Sequence, residues 1–256
     1  GLSVDWSLLY TTIGDTARRV SQRAFLRNLA RGEAYQQDAP TLYDIDERTA
    51  VAQAEMEDRD VPGAYHKLAF HRTDGSGDIL IDTTRPELLA SCVALVAHPE
   101  DPRYQPLFGA TVTTPLYGVA VPVLAHRLAD PEKGTGIAMI CTFGDVTDVT
   151  WWRELNLTNR ALIGFDGVFS RETPEWITTE AGSASYQTIA GRAPKQAQRL
   201  VVEQLAASGE MIGEPRAITH PVKFFEKGER PLEIVTSRQW YIRNGGREAD
   251  LRTRLV

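Results

Sequence analysis

The sequence predicts a mainly β protein with helices (α+β), its centre a closed or nearly closed barrel of short strands. Three observations carry this prediction. Between residues 65 and 141 short apolar runs alternate with proline and glycine turns, the spacing of a small barrel. Helical periodicity is clearest elsewhere, over residues 15–31 and 194–208. With 256 residues, 42% hydrophobic and 24% charged, the chain has the composition of an ordinary soluble protein able to bury a sizeable core.

Taken in order, residues 15–31 read as a helix: Asp15 or Thr16 can cap it, Ala17, Val20, Ala24 and Phe25 share one side, and Gly32 can end it. Arg19, Arg23, Arg27 and Arg31 recur at every fourth position, a stripe that a solvated helix face explains more simply than an RNA contact. Residues 49–57 favour helix by composition. The Pro62-Gly63 pair marks a boundary. Residues 65–72 and 78–82 form a hairpin around Asp74-Gly75 and Gly77. Pro86 stops the second strand and opens a helical turn over 87–92. Residues 93–97, 110–113, 119–124 and 136–141 continue as strands. Helix returns over 148–155 and, more clearly, over 194–208, where Ala197, Leu200, Val201 and Leu205 share a face and Gly209 terminates. Residues 161–170 read as a hairpin turning at Asp166-Gly167, and 222–225 and 232–235 as strands.

Composition narrows the function classes. No apolar run approaches the roughly 20 residues of a membrane span, so no membrane partner is expected. The start, Gly-Leu-Ser-Val-Asp-Trp-Ser, has neither the basic nor the apolar region of a signal peptide, and a chain without an initial methionine reads as part of something longer. Cys92 and Cys141 make no disulfide framework, and the five histidines show no metal-ligand spacing, so no metal is expected and a cytoplasmic setting is simplest. The net charge of −6 argues against free-standing nucleic-acid binding. Only residues 216–256 are basic, with nine Lys and Arg against five Asp and Glu.

Two stretches carry the chemistry. Gly77-Asp78-Ile79-Leu80-Ile81-Asp82 runs into Thr83-Thr84-Arg85-Pro86-Glu87, and Gly134-Thr135-Gly136-Ile137-Ala138-Met139-Ile140-Cys141 runs through Thr142-Phe143-Gly144 into Asp145 and Asp148. Each is an apolar strand ending abruptly in polar residues. Side-by-side pairing of the two strands would gather Thr83, Thr84, Arg85, Asp145 and Asp148 around one cleft, groups suited to a small substrate with an ammonium, a hydroxyl and an ester. Each stretch alone also has a bland explanation. Asp148 fits a surface acid in a first helical turn, Asp145 an N-cap, and Thr83 to Arg85 a strand end with a surface ion pair. Cys141 has no local histidine and Ser91 no elbow motif, so no nucleophile stands out. Gly134-Thr135-Gly136 is too short for a phosphate cradle.

This pair of stretches resembles the threonine-rich strand and the Gly-Thr-Gly-to-Asp strand of the editing domain inserted into class I valyl, isoleucyl and leucyl-tRNA synthetases. The flanks resemble the valyl-tRNA synthetase family, upstream in Ala39-Pro40-Thr41-Leu42 and residues 49–55, downstream in residues 221–226 and 234–241. The resemblance covers essentially the whole chain. It implies a β-barrel-like editing domain over 59–215, an N-terminal connector over 1–58 with a helix and an extended segment at 49–57, and a return connector over 216–256. The implied activity is post-transfer editing: hydrolysis of the ester of valine tRNA mischarged with threonine. An apolar activation pocket of this very enzyme family rejects the extra hydroxyl by only about 10²-fold, about 2.7 kcal/mol, so a second site must select that hydroxyl.

By the same resemblance, Asp148 grips the α-ammonium, Asp145 accepts the threonine hydroxyl, and Thr83, Thr84 and Arg85 line the site near the terminal adenosine and the scissile ester. Glu87, Leu88, Met139 and Cys141 complete the substrate wall. A positioned water, helped by a ribose hydroxyl, would attack. Family members carry lysine where Met139 stands, threonine at Cys141 and Leu88, and Pro-Ala-His at Thr142-Phe143-Gly144, so this wall has lost polar contacts. The implied partners are a mischarged tRNA acceptor end and the remainder of a parent synthetase. ATP and Mg2+ would serve the parent ligase and not this chain, which has no HIGH-like or KMSKS-like segment. Two alternatives remain open: a noncatalytic module that positions the acceptor end, and an isoleucyl-type domain that clears valine.

Overall fold

The structure is a computed structural model that describes residues 3–243, 250, 253 and 254. In chain order it places α1 at Asp15–Ala30, β1 at Ala34–Asp44, β2 at Thr49–Ala50, β3 at Met56–Arg72, β4 at Asp78–Thr83 and β5 at Cys92–Ala97. After these come β6 at Thr111–Thr113, β7 at Ala120–Ala125, β8 at Ile137–Cys141, α2 at Val146–Glu154, α3 at Glu180–Gln187, α4 at Pro194–Ser208, β9 at Arg216–Phe225 and β10 at Glu233–Ile242. A 3-10 turn, Pro86–Ser91, joins β4 to β5.

The chain divides into two units, Pro40–Thr236 and Gly1–Ala39 with Ser237–Val256. The larger unit carries the curled sheet, ordered β4-β3-β6-β7-β5-β8. β3 changes partner along its length: residues 66–71 pair with β4 and residues 56–65 with β9. Most pairings are antiparallel, and β5 with β7 is parallel. The order puts β4 and β8 at the two ends, so they are not hydrogen-bonded neighbours as side-by-side pairing would require. They nevertheless pack against each other, because strand twist and curl bring the two edges around into contact. The barrel is thus nearly closed; at its seam Asp82 of β4 lies against Gly134 ahead of β8, and Leu88 of the turn after β4 lies near Gly144 beyond the end of β8.

Alternation along β8 sorts its side chains between two cores. Ile137, Met139 and Cys141 belong to the main core with Leu68, Phe70 and Ile81, whereas Ala138 and Ile140 face a smaller core that includes Trp151 of α2. α4 buries Ala197, Val201 and Leu205 in the main core, an i, i+4, i+8 row that explains why this helix was legible in the sequence. Its C-cap Gly209 has φ of 78°, a left-handed conformation that glycine adopts without Cβ strain.

Several boundaries differ from expectation. α1 is capped by Gly14 with no side-chain bond; Asp15 instead pairs with Arg18 at 2.6 Å inside the first turn. α2 starts at Val146 and not at 148, since Asp145 holds the cap. The 161–170 hairpin reduces to one bridge, Ile163 to Phe169. Residues 49–57 are extended apart from a 3-10 turn at Gln53–Glu55. β1 and α3 had no clear sequence signal. Position 58 lies within β3 and position 216 opens β9.

In the smaller unit, α1 has no buried residue, and Phe25 meets Trp240 edge-on at 5.1 Å. Among the described residues no helix is long and apolar enough to cross a membrane.

Candidate functional site

β8 ends at Cys141, the Thr142-Phe143 peptide is cis, and the chain then turns through Gly144 into α2. Asp145 caps this helix: its Oδ1 accepts from the amides of Thr147 at 2.7 Å and Asp148 at 3.0 Å. Asp148, three residues on, is only 6% exposed, which removes its reading as a surface acid. Its Oδ2 accepts the Gly144 amide at 2.7 Å. Burial, and after it the neighbouring Asp145, push the Asp148 carboxyl well above the usual carboxylate range, against the backbone groups of Gly144, Asp145 and Cys141. Among the described residues no Lys, Arg or His pairs with it.

α2 is held from its far end by His126, which follows β7. The indole N–H of Trp151 donates to His126 Nδ1 at 3.1 Å, so the ring proton sits on Nε2 and donates to Glu154 Oε2 at 2.9 Å. Trp151 lies one turn beyond Asp148 on the same buried side.

The other strand end is equally constrained. The Arg85 amide donates to Thr83 Oγ1 at 3.1 Å. Arg85 Nε donates to Glu87 Oε1 at 2.9 Å, and Nη2 to Glu233 Oε2 at 3.0 Å. Burial works against the charge on Arg85, but Glu233 and Glu87 outweigh it and hold the guanidinium above its ordinary value. Burial pushes Glu87 up, with Arg85 opposing. Gln198 of α4 donates through Nε2 to the Thr84 carbonyl at 3.0 Å and to Glu87 Oε2 at 3.1 Å.

The seam joins these halves through Glu87 and Leu88. A Cβ placed on Gly144 would lie 2.8 Å from Asp148 Oδ2 and 3.4 Å from Leu88 Cδ1, so Leu88 sits beside the buried carboxylate. Cys141, opposite Cys92 across β5 and β8, feels both Asp148 and Glu87, and its thiol is pushed up first by burial. Asp82 is similarly close to Gly134, which precedes β8. Of the residues proposed from sequence, Thr83, Leu88, Cys141, Glu87 and Asp148 are buried, Thr84, Arg85 and Met139 half-buried, and Asp145 exposed.

Sequence reasoning missed Gln198, Glu233, His126 and Arg160. The last donates through Nη1 to the Cys92 carbonyl at 2.7 Å, while its amide donates to Thr142 Oγ1 at 2.8 Å. None of the four lies in a motif, and only the fold brings them to these contacts. An open depression lined by Gly164, Asp166, Val168, Arg171 and Thr236 lies along the 161–171 segment, apart from the aspartates.

Chemically the seam is acidic. Arg85 pairs with Glu87 and Glu233, which balance its charge, while Asp145 and Asp148 have no cationic partner among the described residues. That arrangement favours a cation close to Asp148 over an anion at Arg85.

A family model described as tRNA synthetases class I (I, L, M and V) matches residues 1–253. The valine--tRNA ligase of Thermobifida fusca (strain YX) is 68% identical over 256 residues, covering 100% of this chain and 29% of that protein. The valine--tRNA ligase of Leifsonia xyli subsp. xyli (strain CTCB07) is 64% identical over 256 residues, covering 100% of this chain and 30% of that protein. The chain therefore spans under a third of the length of these curated relatives. A solved ternary complex of Agrobacterium radiobacter K84 agnB2 LeuRS with tRNA and LeuAMS aligns at 15% identity and a TM-score of 0.43, covering 82% of this chain and 33% of that one.

Proposed function

This chain belongs to the class I tRNA synthetase family of the isoleucine, leucine, methionine and valine type, and on that premise we propose that it is the editing part of a valine-tRNA ligase. It hydrolyses the ester of valine tRNA mischarged with threonine. The observation that carries the proposal is Asp148: a buried carboxylate at the seam, beside Leu88, without a cationic partner among the described residues. A buried charge needs a counter-charge, and the α-ammonium of an aminoacyl ester supplies one.

In the proposed reaction the ammonium pairs with Asp148. Asp145 keeps one carboxylate oxygen on the helix cap and offers the other to the threonine hydroxyl. The ester lies toward Thr83 and Thr84. Thr83 Oγ1 already accepts from the Arg85 amide, so its hydroxyl proton is free to donate to the developing oxyanion. That amide is correspondingly unavailable for the same purpose. Water adds to the carbonyl carbon, the bond to the ribose oxygen breaks, and the water proton ends on that oxygen. Threonine and uncharged tRNA leave. Among the described residues no three His, Cys, Asp or Glu side chains stand where they could together hold a metal ion, and the proposed reaction uses none. ATP and Mg2+ are assigned in this proposal to the remainder of the ligase.

The test is release of amino acid from valine tRNA charged with threonine or with valine, at low salt, with Asp148→Ala as control. Fast loss of threonine alone, reduced about 10²-fold or more by Asp148→Ala, is expected. Equal loss of both amino acids, or no effect of Asp148→Ala, would overturn the reading. The capping role of Asp145 favours a second reading, a module that only positions the acceptor end. Tight tRNA binding without any threonine release would support that one.

A further inference from the structure

We propose that Gln198 is a positioning residue that locks the Thr84–Arg85 peptide plane, and through it the hydrolytic turn of the site. This rests on the reading of Thr83 and Thr84 as groups that face the ester. The carbonyl of Thr84 and the amide of Arg85 belong to one planar unit. The structure holds that unit at both ends: Gln198 Nε2 donates to the Thr84 oxygen at 3.0 Å, and the Arg85 nitrogen donates to Thr83 Oγ1 at 3.1 Å. Rotating the plane breaks both bonds together. Because Thr84 Cα lies in the plane, the lock also fixes the point from which its side chain leaves the backbone.

Gln198 is suited to this work. Its amide nitrogen has two hydrogens, one for the Thr84 carbonyl and the other for Glu87 Oε2 at 3.1 Å. Both partners are acceptors, which fixes the amide orientation without ambiguity. Gln198 also stands next to Ala197, which is fully buried and, with Val201 and Leu205, seats α4 in the main core. The donor is thus mounted on a rigid helix. The second bond reaches Arg85, since Glu87 Oε1 accepts its Nε, and Arg85 in turn binds Glu233. A single amide therefore connects α4 to the backbone and the charge network of the turn.

The test compares hydrolysis of threonine-charged valine tRNA by the wild-type chain with that by Gln198→Met, which keeps length and helix propensity but donates nothing, and by Gln198→Lys, which restores a donor. Hydrogen exchange at the Arg85 amide is read in parallel. The lock predicts that Gln198→Met lowers kcat by about 10-fold or more with KM unchanged, since small misplacements near reacting atoms are costly. It also predicts faster Arg85 amide exchange, and recovery of both by Gln198→Lys. A Gln198→Met variant with wild-type kcat and unchanged exchange overturns the proposal, as does a parallel loss of kcat and thermal midpoint that Gln198→Lys fails to reverse. If the wild-type chain releases no threonine, the editing reading itself fails, and the exchange measurement still decides whether the lock exists.

Discussion

Asp148 is an acid in an environment that disfavours its charged form. Its carboxyl is buried among Cys141, Gly144 and Leu88 and is raised well above the ordinary range first by that burial. The linkage has a definite sign: a carboxyl whose folded pKa exceeds its unfolded one contributes stability that is complete below the unfolded value, near pH 4, and is lost as pH rises through the folded value. Asp148→Asn, which keeps an acceptor for the Gly144 amide, is therefore expected to raise the thermal midpoint at neutral pH. The gain should shrink to nothing toward pH 4, and a gain independent of pH would contradict this account. Gly144 is needed for space and not for conformation, since its φ is not positive and a Cβ there would sit 2.8 Å from Asp148 Oδ2. Gly144→Ala should fold with a loss of about 1–3 kcal/mol in denaturant titration, and should reduce threonine release by displacing the carboxylate.

Secondary elements here act as mounts. α2 presents Asp148 because Asp145 caps it and His126 holds Trp151 and Glu154 at its other end. Capping and charge can be separated at Asp145. Serine retains an acceptor for the first-turn amides, so Asp145→Ser should stay near wild-type stability while Asp145→Ala loses about 1 kcal/mol. If Asp145 also receives the threonine hydroxyl, both variants lose the preference for threonine ester over valine ester, which is measurable in the same deacylation assay. The hairpin of β3 and β4 is tied to the segment after α4 by His71, whose ring bonds Glu210 at 2.9 Å and Asp78 at 2.8 Å. The Glu210 hydrogen bond, opposed by burial and reinforced by Asp78, raises the His71 pKa. This pair stabilises the protein below the unfolded value near 6.5 and ceases to do so as pH rises through the folded value. The ring is 43% exposed, so screening keeps the effect under about 1 kcal/mol. His71→Gln should show a larger deficit in thermal midpoint at pH 6 than at pH 9.

At the scale of the molecule, the proposed site depends on a sheet whose two ends come together. β4 and β8 carry the polar strand ends, yet they sit at opposite ends of the strand order and meet only because the sheet curls. Both cores lie within Pro40–Thr236, as do Asp148, Arg85, Gln198 and Glu233. A chain limited to residues 40–236 is accordingly expected to unfold cooperatively with a midpoint near that of the full chain, as followed by circular dichroism. Broad, non-cooperative melting would show that the smaller unit is required for folding.

Local patterning in the sequence determined the elements that depend on local rules. Short apolar runs bounded by turn residues specified β4, β5, β7 and β8, the i, i+4 row of Ala197, Val201 and Leu205 specified α4, and Pro86 and Gly209 specified where the chain turns. The polar strand ends were likewise legible, because polar residues following apolar runs stand out. Only the tertiary structure decided what those ends do. It brought Glu233 to Arg85 across 148 positions and Gln198 to Thr84 across 114, contacts that follow from chain closure and leave no periodic trace. It also turned Asp148 from a helix-start acid into a buried carboxyl, since burial is a property of everything packed around a residue and not of its own neighbours in sequence.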